Sequence, residues 1–521
     1  MNRLATDKLE SSLNEIAFGE ERLTLSEVAL LATGSLKPVL SSGARERMRE
    51  SAEVMERLHQ EGKAIYGVTT SVGASVIVDV PKERAAELSL NLLRMHGCGT
   101  GRILSELEAA AALAIRINSL AQGKSGVRPE IAERLTLFLR ERVLPRIPAE
   151  GSVGASGDLT PLSYIVAMLV GEREVSFRGE IIPASEALER LGLEPLKLRP
   201  KESLSLMNGT SVATAIASIA LLRAKQIARL ASSITAMGSA AINGNPSHFD
   251  AFIHEAKPHL GQAIAARWIL EDLDTVKIPE GARLQDRYSI RCAPHVIGVL
   301  VDALRFAEET LETELNGVSD NPLVDVERGE ILHGGNFYGG HVAFVADSLK
   351  LAVANIACLL DRQLLLLCNP GESDGLPRDL VGVKGEAACV HNGFKAVTIA
   401  TSSLAAEALK LTMPASAFSR STELHNQDKV PMATLAARDL LRIVEITEQV
   451  AAMLLLASIQ AVELRGDTAD GARSERLTAI AGAVRRVVPP LVEDRRMDLD
   501  IEAVLALIRG GDLPLGGLEI E

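Results

Sequence analysis

Four apolar runs, each far longer than an ordinary globular helix, constrain this chain most. They are VATAIASIALLRAKQIARLASSITAMGSAAI (212–242), HVIGVLVDALRFAEETLETELNGV (295–318), HVAFVADSLKLAVANIACLLDRQLLLL (341–367) and ATLAARDLLRIVEITEQVAAMLLLASIQAVELR (433–465). Ala and Leu, which favour helix, dominate them, and β-branched runs are few. Apolar residues cover wide faces of each run, so each helix must be buried on most sides, which makes a bundle. The expected fold is all-α. A long central helix bundle spans 201–465, a smaller N-terminal region spans 1–200, and a C-terminal helical segment spans 466–521. So much apolar helix also calls for association between copies. The stretch 351–367 is apolar enough to suggest a membrane span, but Asp361 and Arg362 interrupt it, so a buried helix is the better reading.

Ahead of the bundle the pattern is more broken. Residues 1–60 read as short helices, with Thr24 and Ser26 placed as N-caps before an apolar run. Helical periodicity returns from about Lys82 to Val143, and EVSFRGEIIPA (174–184) reads as a short hairpin. IYGVTTSVGASVIVDVP (65–81) has no helical period and is rich in Gly, Thr, Ser and Val. A loop of that length inside a compact domain suits an active-site lid; a plain surface connection has the same composition.

The net charge of -13 argues against a nucleic-acid partner, which needs a concentrated basic surface. Cys98, Cys292, Cys358, Cys368 and Cys389 form no C-x-x-C pair and no cluster with histidine at metal-ligand spacing. No metal is therefore expected, and the thiols read as reduced in a cytoplasmic protein. The opening MNRLATDKLE has no apolar core and does not read as a signal peptide.

The most informative loop is GSVGASGDLTPLS (151–163). It lacks the Lys of a phosphate loop, and Ser156 in G-A-S-G is not in the G-x-S-x-G setting of a nucleophile elbow. Asp158 ahead of Thr160-Pro161 looks like a helix start, and a tight turn capping a helix accounts for these residue types. The small residues Ala155, Ser156 and Gly157 permit a further chemistry. Gly157 has no Cβ, so its amide nitrogen can approach the Ala155 carbonyl carbon. Attack there and loss of two waters, one carrying the Ser156 hydroxyl, leaves a five-membered imidazolone with an exocyclic methylene, an electrophile that no ordinary side chain supplies.

"GSVGASGDLTPLSYIVAMLVGE" resembles the signature of the histidine, phenylalanine and tyrosine ammonia-lyases and their 2,3-aminomutase relatives. The likeness runs in order through YGVTTSVG (66–73), MNGT (207–210), QDRYSIRCAP (285–294), DNPL (320–323), GGNFYG (334–339) and HNQD (425–428), and so covers most of the chain. It is strongest toward bacterial tyrosine ammonia-lyases and tyrosine aminomutases. The resemblance implies the ammonia-lyase/fumarase-like helical fold and a 4-methylidene-imidazol-5-one (MIO) group made from Ala155-Ser156-Gly157. It also implies a homotetramer whose active sites are shared between subunits, with the lid, Arg291 and Gln427 drawn from different chains.

The same resemblance assigns roles. Tyr66 is the base that removes a β-proton, and Gly67 and Gly73 let the lid move. A phenol ionises near 10, so nearby positive helix ends or hydrogen-bond donors are expected to favour its phenolate. Arg291 binds the substrate carboxylate, for which a planar guanidinium is suited. Tyr288, three residues earlier, is a second tyrosine near the reacting centre. Asn208 contacts the MIO carbonyl or the carboxylate, Asn336 and Phe337 are a polar and an aromatic pocket position, Glu423 lies near the amine, and Gln427 lies near MIO and the side-chain pocket.

The family's selectivity pair falls on Met95-His96. Histidine-acting members usually show Ser-His there, many phenylalanine-acting ones Phe-Leu, several tyrosine-acting ones His-Leu and some bacterial tyrosine-acting ones Ser-His; Met95 departs from each, and His96 suits either a phenol oxygen or an imidazole. Histidine-acting members also carry a Glu where this chain has Gln427, and a neutral amide forgoes the charge-assisted bond to an imidazole. L-tyrosine, giving p-coumarate, is thus the favoured substrate, followed by phenylalanine or a hydroxylated analogue and then histidine. Simple elimination is favoured over 2,3-aminomutase activity yielding β-tyrosine. A catalytically inactive scaffold of the same fold is disfavoured by the intact Ala155-Ser156-Gly157 and Tyr66.

Overall fold

The computed structural model describes residues 15–466 and 474–518. The opening decapeptide and parts of the N- and C-terminal segments read above lie outside these residues. The described chain is predominantly helical, as the long apolar runs require. The four runs are the helices Ser211–Ala241, Ala293–Leu315, Gly340–Cys368 and Ala433–Arg465. Ser211–Ala241 and Gly340–Cys368 both pack along Ala433–Arg465, and Ala293–Leu315 joins them together with Leu260–Leu273. Nearly every residue of Ser211–Ala241 is buried, including its Ser and Thr side chains. Several of those hydroxyls, such as Thr214, Ser232 and Thr235, satisfy themselves on a carbonyl one turn back.

Ser211–Ala241 and Gly340–Cys368 are long and apolar enough to cross a membrane, but 83% and 67% of their most apolar windows are buried inside the fold. Asp361, in the run read as buried despite its charge, accepts hydrogen bonds from Thr401 and Ser402. That pairing explains how a carboxylate sits inside an apolar helix.

The N-terminal region supplies shorter helices whose ends are written in the sequence. Thr24 caps Leu25–Thr33 in a reciprocal box with Glu27, while Ser26 lies inside the helix. Ser105 and Glu108 form the same box on Glu106–Ala121, an alanine-rich helix buried from Glu108 onward. The hairpin read at 174–184 is present as Glu174–Phe177 and Glu180–Pro183, extended by Val143–Pro145 into a three-stranded antiparallel sheet. The remaining strands are short pairs: Glu15–Phe18 with Lys37–Leu40, Thr100–Ile103 with Pro148–Glu150, and Leu323–Asp325 with Glu330–Leu332. All five cysteines are free thiols.

Several large apolar side chains stay exposed on the outside of the bundle. Val299, Phe344 and Ile399 are each more than 60% exposed, and Phe306 stacks edge-on against Phe344 with ring centres 6.1 Å apart.

Candidate active site

A cavity of about 340 Å³ opens where the N-terminal loops meet the ends of the bundle helices, which is within the size range of small-ligand sites. Tyr66, Val72 and Gly73 of the 65–81 loop line one side, and Ala155, Ser156 and Leu159 line another. Leu92, His96, Leu204, Met207 and Asn208 close the inner wall. Asn321, Phe337 and Tyr338 join them, with Glu423, Asn426, Gln427, Asp428 and Lys429 at the rim.

The Ala155-Ser156-Gly157 turn is zipped to the turn at 208–210. Gly209 N–H donates to the Ser156 carbonyl at 3.2 Å, and Asp158 N–H donates to the Gly209 carbonyl at 2.6 Å. Gly157 has φ +73°, and a Cβ there would lie 2.1 Å from the Gly209 oxygen. No side chain fits at that position, and the left-handed backbone independently favours glycine.

Behind the turn lies a set of buried charges. Arg116, fully buried, donates to the carbonyls of Asn208 at 3.1 Å and Ser319 at 3.0 Å, and to that of Ser205. Burial brings its guanidinium down to about 10. Lys201 donates to Ser125 O, Ser205 Oγ and Asp320 Oδ2 at 2.9, 2.6 and 2.9 Å. Asp320 in turn accepts from Asn208 Nδ2 at 3.3 Å. This fixes the Asn208 amide so that its buried Oδ1 is left with no hydrogen-bond partner beside the cavity.

Asp158 precedes Leu159–Leu169 as its sequence position suggests, but its side chain does not cap that helix. The carboxylate accepts from Val212 N and Ala213 N at 2.9 and 2.8 Å, and from Thr434 Oγ1. It therefore caps the first turn of Ser211–Ala241 and ties it to Ala433–Arg465. Burial pushes its carboxyl up to about 6.

Tyr66 Oη accepts the Gly73 N–H at 2.7 Å, so the loop bends back to put a donor on its own phenol. The donor expected from the sequence is thus present, yet the phenol is raised above its ordinary value. Burial is the main cause and the Glu423 charge adds to it, outweighing the single amide.

Glu423, Leu424 and His425 all have left-handed backbones, with φ of 47°, 52° and 68°. Each such residue costs about 1–2 kcal/mol, so the turn is held by its surroundings. Thr422 and Gln427 exchange backbone bonds of 3.0 and 3.2 Å, and Thr422 Oγ1 donates to Gln427 Oε1 at 2.6 Å. Strain of this kind concentrates at functional sites.

A family model for aromatic amino acid lyases matches residues 23–486. The chain belongs to the aromatic amino acid lyase family. It is 40% identical to a histidine ammonia-lyase of Geobacillus thermodenitrificans, over 89% of this chain and 91% of that one. Among solved structures it is similar to the tyrosine aminomutase of Streptomyces globisporus, at 35% identity and a TM-score of 0.89, covering 96% and 97% of the two chains. It is also similar to the phenylalanine aminomutase of Pantoea agglomerans, at 29% identity and a TM-score of 0.89, covering 98% and 100%.

Lyases of this family use the MIO electrophile, and the Ala155-Ser156-Gly157 turn fits that group. Gly157 stands where no Cβ is tolerated, and the orphaned Asn208 acceptor is buried against the same cavity.

Of the site residues read from the sequence, Tyr66, His96, Ala155, Ser156, Asn208, Phe337, Glu423 and Gln427 line this one cavity, and Gly157 adjoins it. Four others lie outside its lining. Met95 ends the Ala85–Met95 helix with its side chain 54% exposed. Asn336 is exposed and donates to the Val318 carbonyl at 3.2 Å. Tyr288 and Arg291 share one helical turn, with the guanidinium 4.6 Å from the ring centre, on a face where Tyr288 is 71% exposed.

One reading is corrected. The lid and Gln427, expected from different chains, meet in a single chain. Met432 N–H donates to the Val153 carbonyl at 3.1 Å and Pro431 packs on Gly154, which carries the 419–432 segment onto its own Ala155-Ser156-Gly157 turn.

Sequence reasoning missed Asn321, Tyr338, Asn426, Asp428 and Lys429 as lining residues. Asn321, Tyr338, Asn426 and Asp428 lie inside the motifs DNPL, GGNFYG and HNQD, which was the available signal, and Lys429 follows the last of these. Arg116 and Lys201 carried no local signal, since nothing around either one marks a charge as buried.

Proposed function

We propose that this enzyme eliminates ammonia from L-tyrosine to give p-coumarate. The observation that carries the reading is His96. Its ring lines the cavity beside Leu92, Leu159, Leu204 and Met207, and makes no hydrogen bond to any described residue. Burial, with Arg173 nearby, lowers its pKa, so the imidazole is neutral at pH 7. A neutral imidazole offers one donor and one acceptor, which suits a phenol hydroxyl held in the same cavity. Gln427 brings no charge to this wall, and its Oε1 is occupied by Thr422.

The MIO group, once formed from Ala155, Ser156 and Gly157, supplies the electrophile that turns the substrate amine into a leaving group. Tyr66, as phenolate, accepts the β-proton at Oη while the Cα–N bond breaks, and ammonia and the α,β-unsaturated acid leave. The Gly73 amide stabilises the phenolate form of that oxygen. Asn208 Oδ1 is an acceptor held in place by Asp320 and the Asn321 carbonyl. Arg291 and Tyr288, remote from their own chain's cavity, serve the site of a neighbouring copy in a cytoplasmic homotetramer. The exposed apolar faces of the bundle support that association.

Two alternatives have specific support. The 40% identity to a histidine ammonia-lyase favours histidine as substrate. The likeness to aminomutases favours re-addition of ammonia at the β-carbon. One experiment addresses all three. The pure enzyme is incubated separately with L-tyrosine, L-phenylalanine and L-histidine, and the unsaturated acid and any β-amino acid are followed. Tyrosine is expected to give the highest kcat/KM, with the unsaturated acid as main product. A higher value for histidine overturns the assignment.

A further inference from the structure

We propose that Glu423 is a latch that sets the closed form of the lid and thereby positions the Gly73 amide on Tyr66. The inference rests on the reading of Tyr66 as the base. Two consecutive lid amides are held by two different side chains: Gly73 N–H by Tyr66 Oη at 2.7 Å, and Ala74 N–H by Glu423 Oε2 at 3.2 Å. The Glu423 carboxylate occupies the space that a side chain at residue 73 would need. A Cβ on Gly73 would fall 1.5 Å from Oε2, and the backbone there is left-handed at φ +58°. Glycine at 73 is therefore required by a group 350 residues away in the chain as well as by its own turn.

The holder of the latch is itself strained. Three successive non-glycine residues, 423–425, adopt left-handed backbones, and the Thr422–Gln427 pairing closes the turn. That turn aims the carboxylate at the lid. Leu424 at its tip is 91% exposed in this chain, so burial of the tip does not explain the conformation. The carboxylate makes no ion pair with a described residue; its hydrogen bond is the one from the Ala74 amide. Glu423 is thus a positioning residue whose target is the peptide 73–74, and through it the proton-accepting oxygen.

The test is amide hydrogen exchange on the intact, substrate-free enzyme, read on peptides spanning 66–80. Glu423→Ala should raise exchange in those peptides at least about tenfold and leave the Ser211–Ala241 helix protected. Glu423→Gln keeps an acceptor oxygen and should retain most of the protection, which a purely charge-based role would not. Gly73→Ala should open the lid in the wild-type background, because its methyl group expels the carboxylate. In the Glu423→Ala background the space is already vacant and only the cost of the left-handed backbone remains, so the same change should add a clearly smaller factor than it does in the wild type. Unchanged lid exchange in Glu423→Ala, or effects of the two substitutions that simply multiply, overturns the latch. These readouts need no substrate. A failure of the tyrosine assignment leaves them untouched, and a failure of the latch leaves the substrate panel untouched.

Discussion

Replacing His96 with Leu tests the substrate assignment at one position. On that assignment a tyrosine hydroxyl would meet the imidazole, whereas phenylalanine would leave the ring nitrogen facing an apolar group. A buried polar group left without its partner costs about 1–3 kcal/mol, and at about 1.4 kcal/mol per decade that is roughly a 5- to 150-fold preference. His96 is only partly buried, so water can serve it when the substrate does not. The lower half of the range therefore applies, about 5- to 30-fold in kcat/KM. His96→Leu removes the imidazole and leaves the apolar wall of Leu92, Leu159 and Met207 intact. The tyrosine-to-phenylalanine ratio should fall by at least about that factor, because phenylalanine no longer strands a ring nitrogen and the tyrosine hydroxyl loses its partner. The assay is initial rates of cinnamate-type absorbance on the two substrates in parallel, with circular dichroism to confirm the fold. A ratio unchanged within about twofold would refute the argument and direct attention to Met95.

Ser156→Ala should abolish turnover, because no methylidene forms without the serine hydroxyl as leaving group; intact mass should show the wild type about 36 Da below its sequence mass, two waters lost in closing the glycine turn, and the variant unmodified. Tyr66→Phe should lower kcat by about 10²- to 10⁴-fold, the usual contribution of a positioned base, with little change in substrate binding; near-normal turnover would move the role to Tyr288. Co-expressing Tyr66→Phe with Arg291→Met, each inactive alone, should restore activity at about a quarter of the sites if each site draws these residues from two copies of a symmetric assembly; no recovery in co-purified mixed oligomers would place both residues in one chain's site. The Asp158 carboxyl, at about 6 in the folded protein against about 3.9 unfolded, binds its proton more tightly when folded. Its contribution of about 3 kcal/mol is present below pH 4 and lost as pH rises through 6, so Asp158→Asn should flatten the dependence of the denaturation midpoint on pH between those limits, and an unaltered slope would contradict the burial argument.

What the sequence made legible follows from the range of the forces involved. The four long helices were readable because apolar periodicity is local and sustained over many turns; Ala433–Arg465 begins and ends where its pattern does. The Glu174–Phe177 and Glu180–Pro183 hairpin was readable for the same reason, whereas three-residue strands such as Leu323–Asp325 are too short to show a period. The Ala155-Ser156-Gly157 turn was visible because its chemistry needs contiguous small residues. Asp158 was half readable. Its place before a helix is local, but its side chain serves a helix that starts more than fifty residues later. The turn at 423–425 left no trace, since Glu, Leu and His carry none of the glycine signature that normally marks a left-handed backbone. The gap between Arg291 and its own chain's cavity is equally unreadable, because sequence order does not say which copy a residue serves.

The buried charges behind the Ala155-Ser156-Gly157 turn show what the bundle is built to do. Arg116, Lys201, Asp158 and Asp320 are each at most 1% exposed, in a core otherwise dominated by Ala, Leu and Ile. Well-packed apolar residues at such positions are often as stable or more so, so stability alone does not account for four of them. Their bonds converge on few peptides. Arg116 holds the carbonyls of residues 205, 208 and 319, Lys201 and Asp320 orient Asn208, and Asp158 joins the turn to Ser211–Ala241. A buried network whose charged groups are bonded is rigid; Arg116 Nε, Ser125 Oγ and Asn208 Oδ1 are the atoms in it left without a partner, and Asn208 lines the cavity together with Ser156. The long helices thus serve as a frame on which these charges fix one glycine turn, while the 65–81 loop and the strained 423–425 turn meet at the cavity through a single hydrogen bond, Ala74 N–H to Glu423.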